Sequence, residues 1–493
     1  MKLSELLKEL EYTCAQGSAD ININHLVYDS RKIEEGDVFV ALSGAAFDGH
    51  SFAEQAACKG AAAIVVQKDV SDILSDENIT VIRTADTRRA LAFMSAAYFG
   101  HPAKKLVTIG ITGTKGKTTT SYMVKSVLEK TGIPTGLIGT IETVIGREHI
   151  PSLNTTPESY IVQETFAKMA DAGLKCVVME VSSQGLMLER TAGFTFDYGI
   201  FTNLSEDHIG PNEHKDFDDY LHCKAKLFKQ CRTGIVNADD PYVSEIIKDA
   251  SCEIETFGLE KEADLKASDL ELFTKPGVLG IRYNLCGKVN MAVEVDIPGR
   301  FSVYNSLTAI AVCLHFTDDL GLIGNVLKDV QVKGRVEIVP VSEKYTVIID
   351  YAHNAASLES ILTALREYEP ERLVVLFGCG GDRSKVRRFE MGEAASRLAD
   401  LTIVTSDNPR HENPADIIND IITGIKKADG EYVVVENRRE AIFYALENAK
   451  ENDVIVLAGK GHEDYQDING TKTHFSDVET ALEYAAGRNK SVT

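Results

Sequence analysis

Long apolar runs are missing: no stretch of the 493-residue chain approaches the ~18 consecutive apolar residues that would span a bilayer. Paired cysteines are missing too. The nine cysteines are scattered without a Cys-x-x-Cys pair, which points to neither a zinc site nor a disulfide framework and fits free thiols in a reducing cytosol. Positive charge is in short supply, with 52 Lys and Arg against 74 Asp and Glu and a formal net charge of −22. A chain this acidic does not grip nucleic acid or an anionic membrane through its overall field. Any anionic ligand must therefore be held by local cations, backbone N–H groups or a metal. Internal repeats and low-complexity segments are absent as well. The opening MKLSELLKELEYT is amphipathic and contains Glu, unlike a signal peptide. A cytoplasmic monomer with no nucleic-acid partner and no membrane insertion is expected.

What is present is an alternation of short β-branched runs with longer helical patterns, which predicts an α/β fold built on mostly parallel sheets. The length suggests roughly three domains of ~150 residues. Residues 1–98 hold the strand candidates DVFVAL and AAAIVVQ and then a helix, with His101-Pro102 as a plausible linker. Residues 99–333 run through VTIGIT, KCVVME, DYGIFTNLSEDH and TGIVNADDP, each an apolar strand entering a polar loop. Residues 334–493 repeat that design in TVIIDYAHNAA, RLVVLFGCGGDR, LTIVTSDNPR and DVIVLAGKGHEDYQ. Ligands of open α/β sheets sit beyond the carboxyl ends of the strands, so these four loops, with His353, Arg383, Arg410 and Glu463, predict a pocket.

The stretch VTIGITGTKGKTTT reads as a phosphate loop. Strict Walker A spacing would put Gly at the position of Ile111, but the tighter Gly113-Thr114-Lys115-Gly116-Lys117-Thr118 keeps the working parts. Its glycines let N–H groups turn toward phosphate oxygens, and the following helix offers its positive end. Lys117 can reach terminal phosphates, and the Thr118 hydroxyl can ligate Mg²⁺. Glu180 ends a strand where it could hold Mg²⁺ directly or through water. His208 follows another strand; alone, such a residue is as readily structural.

In this order, GTKGKT, EVSS, TNLSEDH, DYAHNAASLE and DNPR resemble the Mur ligases over nearly the whole chain. The pair DNPR and GKGHEDYQ is similar to the branch that adds the third peptide residue in peptidoglycan synthesis. The resemblance implies three domains, a central P-loop ATPase-type sheet domain and a Rossmann-like C-terminal one, with a UDP-sugar-binding domain in front. It implies ATP-dependent amide synthesis with ATP and Mg²⁺. ATP phosphorylates the D-glutamyl carboxylate of UDP-N-acetylmuramoyl-L-alanyl-D-glutamate, and the amine of meso-diaminopimelate attacks the acyl phosphate. By motif, Gly113, Thr114, Lys115, Gly116, Lys117, Thr118 and Thr119 bind ATP, together with Asn305 and Arg335. Thr118, Glu180 and His208 surround the metal. Lys224, four after Tyr220 in DDYLHCKAKLF, matches the lysine that the family modifies with CO₂ to N6-carboxylysine; Lys117, Glu180, His208 and Lys224 form the catalytic set. Ser30, Asn154, Thr155, Thr156, Ser182 and Arg190 match contacts to the UDP-sugar-peptide, and His353 and Asn354 fall near the nucleotide.

Arg410 of DNPR suits a carboxylate bidentately, and Arg383 offers another cation. With Asp407, Asn408, Pro409, Gly459 and Glu463, these match the amino-acid site of the diaminopimelate-adding branch rather than of the lysine-adding one. The chain departs from the common family pattern at Lys115 (usually Asn), Gln184 (usually His) and Leu188. A folylpolyglutamate-synthase-like ligase is a further alternative, against which the first 98 residues count. A P-loop switch or motor leaves the four C-terminal loops unexplained.

Overall fold

The structure, a computed structural model, describes residues 1–44, 47–74, 78–207, 209–210, 213–275 and 277–490. They divide into two compact units, Met1–Asp264 with Thr308–Asp318, and Leu265–Leu307 with Asp319–Thr493.

The first unit opens with β1 (Thr13–Gln16), β2 (Leu26–Val27), β3 (Val38–Val40), β4 (Ala63–Val66) and β5 (Thr80–Arg83), in the order β1-β5-β4-β3-β2. Strands β2 to β5 run parallel and β1 is antiparallel. The parallel strands read as unbroken apolar runs because both faces are covered. Val38, Val40 and Val65 pack with Leu91 and Met94 of the helix Thr87–Tyr98. The alternate residues Phe39, Ile64 and Val66 pack with Ala53 and Ala56 on the other side.

A larger sheet follows: β6 (Val107–Thr112), β7 (Thr135–Ile138), β8 (Glu142–Ile145), β9 (Glu148–Pro151), β10 (Cys176–Glu180), β11 (Phe196–Phe201), β12 (Cys231–Asn237) and β13 (Glu253–Gly258). Within this unit the order is β13-β12-β11-β6-β10-β7-β8-β9; β8 alone runs against the others and pairs antiparallel with both β7 and β9. The chain leaves β6 for β7 on one side, fills in β10, and crosses to β11 on the other. That reversal makes the carboxyl end of β6 a switch point, where a ligand crevice is expected. Phe166, Phe196, Phe201 and Phe228 lie wholly buried in the core beneath, each contributing about 1.5–3 kcal/mol by its burial.

The second unit has an antiparallel ribbon of β14 (Leu265–Lys275), β15 (Val278–Gly287) and β16 (Met291–Val295). A further sheet holds β17 (Glu337–Val339), β18 (Thr346–Asp350), β19 (Arg372–Phe377), β20 (Leu401–Val404), β21 (Tyr432–Val434) and β22 (Asp453–Ala458), in the order β17-β18-β22-β19-β20-β21. All but β17 are parallel. A hairpin, β23 (Tyr465–Ile468) and β24 (Thr471–His474), stands apart. The four strands expected from the C-terminal motifs are β18, β19, β20 and β22. The ribbon β14–β16 departs from the predicted parallel arrangement: in LKASDLELFTK buried and more exposed residues alternate, the mark of a sheet with one solvated face.

Candidate active site

Beyond β6 the loop is held by its own hydrogen bonds and by the shape of its glycines. Gly113 takes φ 150°, and a methyl group there would stand 1.9 Å from Thr202 Oγ1, so only glycine fits. Gly116, at φ 86°, caps the helix Lys117–Lys130. The Asn203 side chain grips Lys115 from both sides, accepting from its N–H at 2.9 Å and donating to its carbonyl at 3.0 Å. Lys117 Nζ folds back to donate to the carbonyls of Gly113 (2.8 Å) and Thr114 (3.1 Å). The Lys115 side chain is exposed and Thr119 half-buried.

Glu180 ends β10 fully buried. Its carboxylate accepts from Thr118 Oγ1 at 3.0 Å, and from the N–H and hydroxyl of Thr140, both at 2.9 Å. The expected pair Thr118 and Glu180 is thus in contact, at the end of the phosphate loop. Lys224 lies in the helix Phe217–Ala225 with 1% of its surface exposed. Its Nζ donates to Gly113 O at 2.9 Å and sits 4.5 Å from the centre of the Tyr220 ring. Burial, reinforced by the Lys117 charge, pushes Lys224 well below the usual lysine range, toward the neutral amine. His208 lies outside the described residues.

Among the residues matched to the sugar-peptide, Thr155 Oγ1 bonds Thr140 Oγ1 at 3.0 Å. Thr156 donates to the Glu180 carbonyl at 2.9 Å and accepts from Ser182 N at 2.9 Å. Arg190 donates to Thr156 O at 2.9 Å. These surround Glu180, with Asn154 exposed beside them. Ser30 lies in a separate 3₁₀ turn of the first sheet, its carbonyl held by Lys59 Nζ at 2.7 Å.

In the second unit the four loops meet. Asn408 Nδ2 donates to Glu463 Oε2 at 2.8 Å, and the Tyr351 hydroxyl to Glu463 Oε1 at 3.4 Å. Arg410 Nη1 donates to Gly381 O at 2.6 Å. Arg410 has φ 51°, a costly conformation for a residue with a side chain. Two hydrogen bonds to the hairpin hold it there, Arg410 N to Asp467 O at 3.0 Å and Asn469 N to Arg410 O at 2.8 Å. Gly459 has φ 105°, and a methyl group there would stand 2.9 Å from Asp407 Oδ2, too close for a side chain without a shift. Burial raises the Glu463 carboxyl, with Lys460 opposing. Pro409 is buried and Arg383 exposed in the next loop. Arg335 stacks 4.8 Å over Tyr351, and Asn305 is buried in the helix Arg300–Cys313. His353 is exposed, and Asn354 caps the helix Ala355–Arg366.

Three descriptions of Mur ligase domains match the chain in order: the family's catalytic domain over residues 22–99, its middle domain over 111–313, and its glutamate ligase domain over 334–461. A UDP-N-acetylmuramoyl-L-alanyl-D-glutamate–2,6-diaminopimelate ligase of Clostridium perfringens is 44% identical over 99% of this chain and 100% of its own. This chain belongs to the Mur ligase family. The ligase of the same name from Clostridium botulinum is 44% identical over 98% of this Mur ligase and 99% of its own chain. A solved structure of a ligase with that title superposes with a TM-score of 0.73 at 28% identity, covering 99% of both chains.

The residues of this Mur ligase fit the groups its family implies. The N–H groups of a glycine loop at a helix N-terminus suit phosphate, and a hydroxyl with a carboxylate is the hard oxygen set that Mg²⁺ takes. Sequence reasoning missed Thr140, Asn203 and Lys460. Asn203 and Lys460 lie inside the motifs TNLSEDH and GKGHEDYQ, so a signal was there; Thr140, just past β7, carries none.

Proposed function

We infer that this Mur ligase is an ADP-forming enzyme that joins meso-diaminopimelate to UDP-N-acetylmuramoyl-L-alanyl-D-glutamate in peptidoglycan precursor synthesis. The observation that carries this is the full-length likeness, at 44% identity, to a Clostridium perfringens ligase of that name. A carboxylate is a poor electrophile because oxide is a poor leaving group. Transfer of the γ-phosphoryl group of ATP to the D-glutamyl carboxylate gives an acyl phosphate, the amine attacks its carbon, and phosphate leaves.

In this reading Gly113 to Thr119 cradle the ATP phosphates, with Asn305 and Arg335 as further nucleotide contacts. Lys117 exchanges its two carbonyl partners for phosphate oxygens. Thr118, Glu180 and His208 would hold Mg²⁺, which supplies positive charge between two anions. Lys224, whose burial favours the neutral amine, takes up CO₂ through its nitrogen lone pair and releases a proton, so that a carbamate anion replaces the amine beside Lys117. Ser30, Asn154, Thr155, Thr156, Ser182 and Arg190 bind the UDP-sugar-peptide. Arg410 and Arg383 receive the distal carboxylate of the amino acid, the Gly459 carbonyl and the Glu463 carboxylate accept from its distal ammonium, and Asp407, Asn408 and Pro409 belong to the same substrate site. The chain divides into domains 1–98, 99–333 and 334–493, and works as a cytoplasmic monomer.

The test is ATP-dependent phosphate release with the UDP-muramoyl dipeptide, offering meso-diaminopimelate, lysine and glutamate in parallel. Release with meso-diaminopimelate well above the other two is expected. Turnover with lysine but not meso-diaminopimelate would overturn the assignment of Arg410, because lysine has no distal carboxylate for it.

A further inference from the structure

Lys460 lies in the turn after β22 with none of its surface exposed, an uncommon place for an ammonium. Its Nζ donates to Asn408 Oδ1 at 3.1 Å and lies 3.6 Å from Asp407 Oδ1 and 3.7 Å from Glu463 Oε2. A second donor reaches Asn408 Oδ1, the backbone N–H of Asp467 at 3.0 Å. An ammonium and a peptide N–H have no lone pair to offer, so the end of the amide that faces them must be its oxygen. The NH₂ end is thereby turned onto Glu463 Oε2, 2.8 Å away, and Glu463 must accept. The partners fix this amide's orientation.

The charges do not balance. Two carboxylates, Asp407 and Glu463, share one ammonium. The buried Arg438 nearby is already paired with Asp477 at 2.6 Å. One further ammonium would neutralise the cluster.

We propose that Lys460 is a positioning residue for the amino-acid substrate: directly and through Asn408 it orients Glu463 as the receptor for the distal ammonium of a diamino acid. The proposal rests on the function inferred above and adds the residue that builds its ammonium subsite. Lys460 acts through its neighbours, since its own amine is enclosed by them.

Glu463 is faced by Lys460 from its own turn, by Asp407 and Asn408 from the loop after β20, and by the Tyr351 hydroxyl from the loop after β18. The ring of Tyr465 of β23 lies 5.6 Å from Lys460 Nζ, and Arg438 of the helix Arg438–Glu447 is close enough to feel the Glu463 charge. Burial, with Asp407, favours the neutral carboxyl, and Lys460 leads the groups that oppose this. Removing the Lys460 charge lets Glu463 keep its proton to higher pH, and a protonated carboxyl no longer receives an ammonium well.

Lys460→Met keeps length and removes charge. Its KM for meso-diaminopimelate should exceed the parent's by a factor that grows as pH falls, up to about tenfold on the acid side for a shift of one carboxyl by about one pH unit, and should approach the parent value as pH rises. The KM values for ATP and the UDP-dipeptide should stay unchanged, and Lys460→Arg should keep the parent pH profile. A second readout needs no substrate. In the full-length protein carrying ¹³C-carboxyl glutamate, with the Glu463 signal assigned through Glu463→Gln, Lys460→Met should raise the Glu463 titration midpoint by at least about one unit. If the parent enzyme does not use meso-diaminopimelate, the functional reading fails and this titration alone decides the role of Lys460. An unmoved Glu463 midpoint, or a KM rise equal at every pH, overturns the proposal and leaves Lys460 as structural support.

Discussion

At Gly113 the backbone and Thr202 leave no room for a side chain. Gly113→Ala should therefore reopen the loop and weaken ATP binding by at least about tenfold, a loss of about 1.4 kcal/mol or more, readable by calorimetric titration. Because the clash is with Thr202 Oγ1, adding Thr202→Ala should return part of that loss; no recovery would mean that the strain resides in the backbone dihedral alone. Arg410 carries the other residue-level expectation. Arg410→Ala removes a charged donor worth about 1.5–3 kcal/mol, so the KM for meso-diaminopimelate should rise by about 10–100-fold. Initial-rate kinetics check this, with the KM for ATP as the internal control. An equal rise in both would point to a damaged fold instead of a lost contact.

At the scale of elements, the ribbon β14–β16 offers a pH-dependent test. Glu294 on β16 is within 2.7 Å of both Lys275 Nζ and Arg282 Nε and 3.3 Å from Lys328 Nζ. The Lys275 and Arg282 hydrogen bonds hold its carboxyl at about 2, against 4.5 for an ordinary glutamate. As pH falls, the unfolded chain takes up this proton first. The stabilisation is therefore complete above 4.5 and is lost as pH drops from there to about 2. Glu294→Gln should be less stable than the parent at neutral pH, and the gap should close over that window in denaturant titrations. A gap independent of pH would sink the argument. The same ribbon marks the limit of what the sequence made legible. The strands around β6 and the set β18, β19, β20 and β22 could be read because a buried parallel strand is an apolar run that stops at a polar loop. The alternation in LKASDLELFTK is a two-residue rhythm, fainter in the sequence than an unbroken apolar run. In the candidate site, Lys117, Thr118, Glu180 and Lys224 were legible from motif spacing. Lys460 was not, because Asp407 and Asn408 reach it from another loop and burial is not written in its neighbours along the chain.

For the whole molecule, the net charge of −22 opposes the approach of substrates that are themselves anionic. Moderate salt screens such repulsion, so kcat/KM for the UDP-dipeptide should rise from low to moderate ionic strength. A steep fall with added salt would indicate a local positive field strong enough to steer the substrate in. The hairpin β23–β24 bears on how selectivity could be moved between proteins. The strained backbone of Arg410 is gripped by Asp467 and Asn469. Transplanting DNPR by itself would deliver the guanidinium without its aim, whereas a graft that also carried residues 459–474 would bring the mould along with the casting.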